Sequence, residues 1–433
     1  MKGLFNRIKS GLFFATGADR VCYEFRRFTL MHVLYILATG ITPTFVSTLL
    51  MRVSMDANVA LKYNLIQYIF LGTSMLLAAK LLHRYSNKTV VVWGVAMSML
   101  VYALIFVFMD SLDILYPLVA LVHGAATGFY WITYHNSLLV YCTDDNRDVA
   151  MNFIGIFTGV VNLFMPLFSG YVINLFDNFL GYYLVFGFCF LIVIVTVWRV
   201  VKLPSTVPDR KPTQFRLVLR NILTKRAWLY CMMMNLFMGI REGAFGFFLN
   251  VLLFSIIRSE ALVGFNNFLV GVGAIFASMI AGRITRPNNR MKLMLFSITA
   301  LGLCTAILFL QMSALTVIIL SVATTFLCIY MLNPVSTGLY RFLDVLPNAR
   351  ELQGEILSVN ECFKCAGRIM GIALIILMPS GNFWSVISLL LLIATQFVTA
   401  WLVHRTTKEC ARIEAERDAG LPAKEPAAIG EAV

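Results

Sequence analysis

The chain has 433 residues, of which 59% are hydrophobic and only 13% charged, and its mean hydropathy is +0.81. A soluble domain could not hide that much apolar surface, so the class is a polytopic membrane protein. The net charge of +13 does not imply nucleic acid as a partner, because the basic residues gather at helix ends on one side of a bilayer, where lipid headgroups and topology account for them.

Residues 1–27 interleave Leu4, Phe5, Ile8, Leu12 and Phe13 with Lys2, Arg7 and Lys9. That pattern fits an amphipathic helix on the cytoplasmic interface, with a solvated positive tail as the plainer alternative. Twelve apolar segments follow, each long enough for about 30 Å of hydrocarbon. They are expected near 28–51, 62–82, 89–109, 114–141, 150–176, 180–200, 227–254, 261–282, 292–312, 314–341, 353–379 and 382–404. With both termini inside, 29 of the 35 Lys and Arg lie on the inner side, three lie outside (Arg52, Lys62 and Arg258), and three lie within the segments. So strong a bias fixes the expected orientation.

The longest break, 201–226, holds Pro204, Pro208 and Pro212 in a basic cluster. It divides the chain into a six-helix lobe at 28–200 and a second at 227–404, followed by a charged, then Ala- and Pro-rich tail at 405–433. The halves repeat at an offset near 202. Arg84 and Lys88 after segment 2 answer Arg286 and Arg290 after segment 8. Tyr130-Trp131 in segment 4 answers Tyr330-Met331 in segment 10. Arg147-Asp148 entering segment 5 answers Arg350-Glu351 entering segment 11. Those paired charges all lie at the cytoplasmic face. They read as a gate whose ion pairs form and break, or simply as residues that set topology.

The six-plus-six layout, the basic linker and the basic loops after segments 2 and 8 resemble the major facilitator superfamily across 28–404. Its loop motif, Gly-x-x-x-Asp-Arg-x-Gly-Arg-Arg/Lys, falls here on Ala79, His83, Arg84, Ser86, Asn87 and Lys88, so only the Arg84 and Lys88 positions match. Pro166-Leu-Phe-Ser-Gly170 matches the end of an antiporter motif without its upstream glycines. Gly128-Phe-Tyr-Trp131 through Arg147-Asp148 is similar to the YqgE-like branch. The resemblance implies two all-α lobes rocking about a midplane site, with segments 1, 4, 7 and 10 lining the cavity and 2, 5, 8 and 11 along the lobe interface.

Five charges sit mid-segment: Arg241 and Glu242 in segment 7, and Glu361, Lys364 and Arg368 on one face of segment 11. At about 3 kcal/mol each they are too costly to face lipid. Lys364 is expected to pair with Glu361 one turn away. The five sum to +1, which points to an anionic or zwitterionic ligand and to a carboxylate that couples its occupancy to protons; a fixed ion-pair network between segments 7 and 11 is the alternative. Segment 4 offers His123, Thr127, Tyr130, Trp131 and Tyr134, walls suited to apolar or ring-bearing solutes or to ordinary packing. Gln67, Asn235, Asn250 and Asn333 add amides, and Pro334 is expected to break segment 10 and free carbonyls.

Cys362-x-x-Cys365 reads as small-residue packing, and Gly155-x-x-x-Gly159 and Gly367-x-x-x-Gly371 as close helix approaches. No phosphate loop, nucleophilic triad or metal-spaced set appears, so neither cofactor nor metal is expected. The reading is a monomeric secondary transporter of a small organic or amphipathic, anion-bearing solute, with proton coupling open. Its partners are the solute and membrane lipid, not nucleic acid. The alternatives are multidrug or lipid-type efflux and, in another class, a membrane-embedded transferase or a non-transporting receptor.

Overall fold

The computed structural model describes residues 22–141, 147–176, 178–205, 213–286, 288–345, 352–379 and 381–418. The N-terminal segment up to residue 21, Arg350, Glu351 and the tail from residue 419 lie outside them. Among the described residues every regular element is helical. In the first half these are α1 (Tyr23–Thr39), α2 (Thr42–Ser54), α3 (Ala57–Leu82), α4 (Asn87–Val107), α5 (Leu112–Tyr141), α6 (Arg147–Asn174) and α7 (Leu180–Val201). A linker helix α8 (Phe215–Thr224) follows. The second half holds α9 (Arg226–Phe245), α10 (Phe248–Ile257), α11 (Glu260–Ile284), α12 (Arg290–Ala306), α13 (Ala314–Val345), α14 (Gln353–Leu377) and α15 (Asn382–Asp418).

Taking α1–α2 and α9–α10 as one span each, eleven spans are long and apolar enough to cross a membrane. The twelfth, α14, has the length, but Glu361, Lys364 and Arg368 interrupt its apolar character. Among the described residues the result is the expected all-α bundle of twelve membrane-spanning segments in two lobes of six. The start of α1 and the end of α15 lie at one end of the bundle, here the terminal end; the other is the far end.

The lobes match in detail that the sequence alignment of the halves did not show. The first span of each lobe is interrupted by a glycine, Gly40 or Gly246. Each then ends on a left-handed residue, Met55 (φ 58°) or Arg258 (φ 53°), at an offset of 203. The next residue caps the following helix: the Asp56 side chain accepts from the Asn58 N–H and the Ser259 hydroxyl from the Leu262 N–H. Both caps satisfy backbone donors that the helix leaves open. Ser47–Asn64 in one lobe and Asn250–Asn267 in the other, again offset by 203, are hydrogen-bonded at equivalent positions with the donor reversed, Asn64 donating to Ser47 at 3.2 Å and Asn250 to Asn267 at 3.1 Å.

Three expectations change. α13 runs unbroken through Pro334, so segment 10 is not interrupted there; segments 1 and 7 are. The linker contains a ten-residue helix. The last helix continues past residue 404 to Asp418, held by a bidentate pair from Arg341 Nε and Nη2 to Glu414, at 3.2 and 2.5 Å.

Inside lipid there is little hydrophobic drive between helices, so close packing sets the crossings. α9 and α14 pack most intimately. Gly367 and Gly371 of α14 lie on the backbone of Leu236 and Ile240, while Gly239 and Gly243 of α9 lie on that of Lys364 and Arg368. A side chain at any of the four would overlap the other helix's backbone. Gly155 and Gly159, by contrast, meet no described residue where a Cβ would sit, so that pair makes no close approach among the described residues. Between lobes, Gly170 of α6 meets Glu260 and Gly264 of α11, and Gly72 of α3 meets Cys362 and Cys365 of α14. The Cys362 thiol donates to the Gly72 carbonyl at 3.2 Å, and the eight described cysteines are free thiols.

Candidate functional site: a charged seam between α9 and α14

The glycine crossing places the stems of Lys364 and Arg368 directly beside Glu242. Lys364 Nζ lies 3.0 Å from Glu242 Oε2, Arg368 Nη2 lies 3.3 Å from the same oxygen, and Arg368 Nη1 lies 2.7 Å from Glu361 Oε1. The expected Lys364–Glu361 pair is replaced by Lys364–Glu242 and Arg368–Glu361. Glu242 projects from the neighbouring helix between the two cations, and the longer Arg368 spans two turns back to Glu361. The Arg368 guanidinium also lies over the Tyr68 ring of α3, 5.1 Å from its centroid, so the seam touches the opposite lobe. Glu242, Glu361, Lys364 and Arg368 are half-buried.

Those four charges cancel. The fifth, Arg241, is a different case. It is 4% exposed and points away from α14, toward α13. Its Nη1 donates to the Cys328 thiol at 2.8 Å, and its guanidinium lies 5.9 Å from the Phe245 centroid. Its Nε has no hydrogen-bond partner, and among the described residues no carboxylate lies within ion-pair distance of it. The net +1 of the site therefore resides on one buried guanidinium.

In the first lobe, rings of α1 and α5 pack together, and α5 reaches toward this seam through His135. Tyr130 is buried, donating or accepting at 2.6 Å with His32 Nδ1, and stacks on Tyr35 at 3.4 Å. Trp131 and Tyr134 are half-buried and meet edge to face at 5.2 Å. His135 sits beside both and within electrostatic reach of Glu361 and Lys364 across the lobe boundary. His123, by contrast, is buried in its own lobe against the Tyr63 hydroxyl at 2.7 Å. Asn235 bonds the Cys231 carbonyl of its own helix, and Asn333 is exposed on α13, apart from the seam.

Reading the sequence passed over His32, His135 and Tyr68. His32 and His135 carried a usable signal, because each is an ionisable residue inside an apolar segment. Tyr68 carried none beyond its place in the middle of an interface segment.

The residues expected to form a gate at the terminal end do not pair among the described ones. Arg84, Lys88 and Arg286 make no ion pair with a described residue, and the Arg290 Nε is buried without a partner. The side chains of Arg147 and Asp148, like Arg350 and Glu351, lie outside the described residues. The lobes meet there instead through Glu355, 3.6 Å from His83 Nε2 of the other lobe. At the far end Glu260, 3% exposed, accepts from Arg52 Nη1 at 2.9 Å and from the Tyr182 hydroxyl at 2.8 Å, both across the lobe boundary. Arg52 is one of the three cations on the sparse side of the charge distribution, and its partner Glu260 was not recognised from sequence.

The Major Facilitator Superfamily model matches residues 28–372. The chain belongs to that superfamily. It is 25% identical over 344 residues to the uncharacterized protein YqgE of Bacillus subtilis (strain 168), covering 78% of this chain and 79% of that one. Its fold is similar to the POT family transporter PepTSo, with a TM-score of 0.70 at 12% identity over 90% of this chain and 98% of that one. It is also similar to a bacterial homologue of the iron transporter ferroportin. The inward-facing form gives a TM-score of 0.68 at 12% identity, covering 88% and 98% of the two chains, and the outward-facing form 0.63 at 13%, covering 89% and 100%.

Proposed function

We propose that this superfamily member is a secondary transporter of a small, anion-bearing organic solute, held by its anionic end on the second lobe and by its apolar or ring part on the first. The observation that carries the reading is Arg241. Four of the five intramembrane charges pair with one another, and the fifth is a buried guanidinium with no carboxylate within ion-pair distance among the described residues. An uncompensated buried charge costs several kcal/mol, which a bound anion would offset. α9 and α13, which hold Arg241 and Cys328, correspond to the cavity-lining segments 7 and 10. Trp131, Tyr134 and His135 give the opposite wall its ring-stacking character.

Proton coupling follows as part of the same proposal. A substrate anion and Glu361 compete for Arg368, and Glu242 competes for Lys364. Protonating either carboxylate releases a cation to the substrate. The cell membrane is the proposed location, with the terminal end cytoplasmic, as the bias of 29 basic residues against three supports.

Purified protein would be screened by thermal shift against aromatic carboxylates, sugars, nucleosides and lipophilic cations, and hits tested for uptake into proteoliposomes. Carboxylates are expected to stabilise the wild type. The variant Arg241→Gln should bind them roughly 10–100-fold more weakly, since a hydrogen bond to a charged group contributes about 1.5–3 kcal/mol. Stabilisation by lipophilic cations alone, or carboxylate binding unchanged in Arg241→Gln, would overturn the reading.

A further inference from the structure

α8 was not expected from the sequence, and the transport reading does not use it. Its Val218 and Ile222 are buried against the second lobe, one turn apart. The rest of its surface carries Leu217, Leu219 and Leu223, the last 72% exposed, together with Arg216 and Arg220. Lys225 and Arg226 follow directly, and Arg199 and Lys202 flank Trp198 at the end of α7, with Lys202 Nζ 3.3 Å from the ring centroid. A short helix with one face on protein, exposed leucines and a belt of cations matches an element lying at the boundary between acyl chains and headgroups.

The start of α8 is wedged into the lobe junction. Phe215 packs against the α3–α5 cluster of the first lobe, as Leu81 and Leu82 do, and also against the core of the second. Just before it, the Gln214 N–H donates to Glu355 Oε1 at 3.2 Å, the same oxygen that lies 3.6 Å from His83 of the first lobe. One helix therefore carries exposed cations and, through its first turn, touches both lobes at the terminal end.

We propose that α8 is a binding surface for anionic phospholipid, and that lipid held on Arg216, Arg220 and Lys225 seats Phe215 between the lobes and favours closure of the terminal end. The chemistry that selects the lipid is charge: each basic residue near an anionic surface adds attraction that falls away within a Debye length. Zwitterionic lipid offers the leucines the same acyl chains and the cations no net charge. The proposal is independent of the transported solute.

The experiment places a donor and an acceptor dye, through encoded azido side chains, at Tyr85 of the first lobe and Lys408 of the second. Single-molecule energy transfer is then recorded on the full chain in nanodiscs of pure phosphatidylcholine and of phosphatidylcholine with phosphatidylglycerol. Phosphatidylglycerol is expected to enlarge the short-distance population several-fold. Raising the salt to about 1 M should reverse that gain, because screening then acts within about 3 Å. The triple variant Arg216→Gln, Arg220→Gln, Lys225→Gln should keep a short-distance population but lose its dependence on lipid. Phe215→Ala should lower that population in both lipids. Identical distributions in the two lipids for the wild type, or an undiminished lipid response in the triple variant, would overturn the proposal.

Discussion

At the scale of single residues, the site is a problem of charge bookkeeping inside a low-dielectric layer. Glu242 serves two cations, so its removal is the most damaging of the neutral changes. Glu242→Ala leaves Lys364 without a described carboxylate partner and Arg368 with Glu361 alone. Deleting the partner of these half-buried cations costs about 1.5–3 kcal/mol, the size of a hydrogen bond to a charged group, because the other charge stays behind. The variant should unfold well below the wild type in a detergent melt, and adding Lys364→Met should recover part of the loss. A double variant no more stable than Glu242→Ala would show that Lys364 is solvated without its partner. These identities were legible in the sequence, since five charges in apolar segments demand partners. The pairing was not. Lys364 lies one turn from Glu361, yet it turns to Glu242, because the helix crossing brings α9 closer than the helical repeat alone implies.

At the scale of elements, the α9–α14 crossing rests on four glycines, and its function is to bring the backbones close enough for Glu242 to reach both cations. Gly367→Leu forces a side chain into the Leu236 carbonyl, and Gly371→Leu does the same at Ile240. Either should lower the melting temperature sharply or abolish folded yield, whereas Gly155→Ala and Gly159→Ala should stay within about 0.5 kcal/mol of the wild type. Size-exclusion profiles and melts of the four variants check this; a well-behaved Gly367→Leu would remove the crossing from the argument. The Gly-x-x-x-Gly spacing occurs in both α6 and α14 and looks equivalent in sequence. Only the placement of a neighbouring helix distinguishes a contact from an exposed face. The same holds for Pro334. Proline can interrupt a helix, but α13 carries it within a continuous helix, while the breaks fall at Gly40 and Gly246.

At the scale of the whole molecule, alternating access requires that contacts between the lobes be made and lost at each end in turn. The far end is held by Glu260, joined by Arg52 and Tyr182, with Gly170 and Gly264 letting α6 and α11 touch. Arg52→Glu should repel Glu260 and open that end; Glu260→Arg should do likewise through repulsion of Arg52. The charge-reversed double variant should restore closure. Distances between labels across the far end, measured by pulsed spin resonance, test this, and a double variant as open as the singles would assign closure to the apolar contacts alone. Met51, Ala60 and Leu61 belong to those contacts, because they join the core of the opposite lobe.

Composition, periodicity and basic-residue placement by themselves determined the membrane class, the twelve-segment duplication and which residues could carry charge into the membrane. Each is a property of one segment and its length, set by what lipid tolerates. Tertiary structure decided which charges meet: Glu242 with Lys364 and Arg368, Arg52 with Glu260, and Arg241 with no carboxylate in ion-pair distance among the described residues. Those outcomes depend on helix crossings measured in a few ångströms, and sequence separations of 126 and 208 residues carry no such distance.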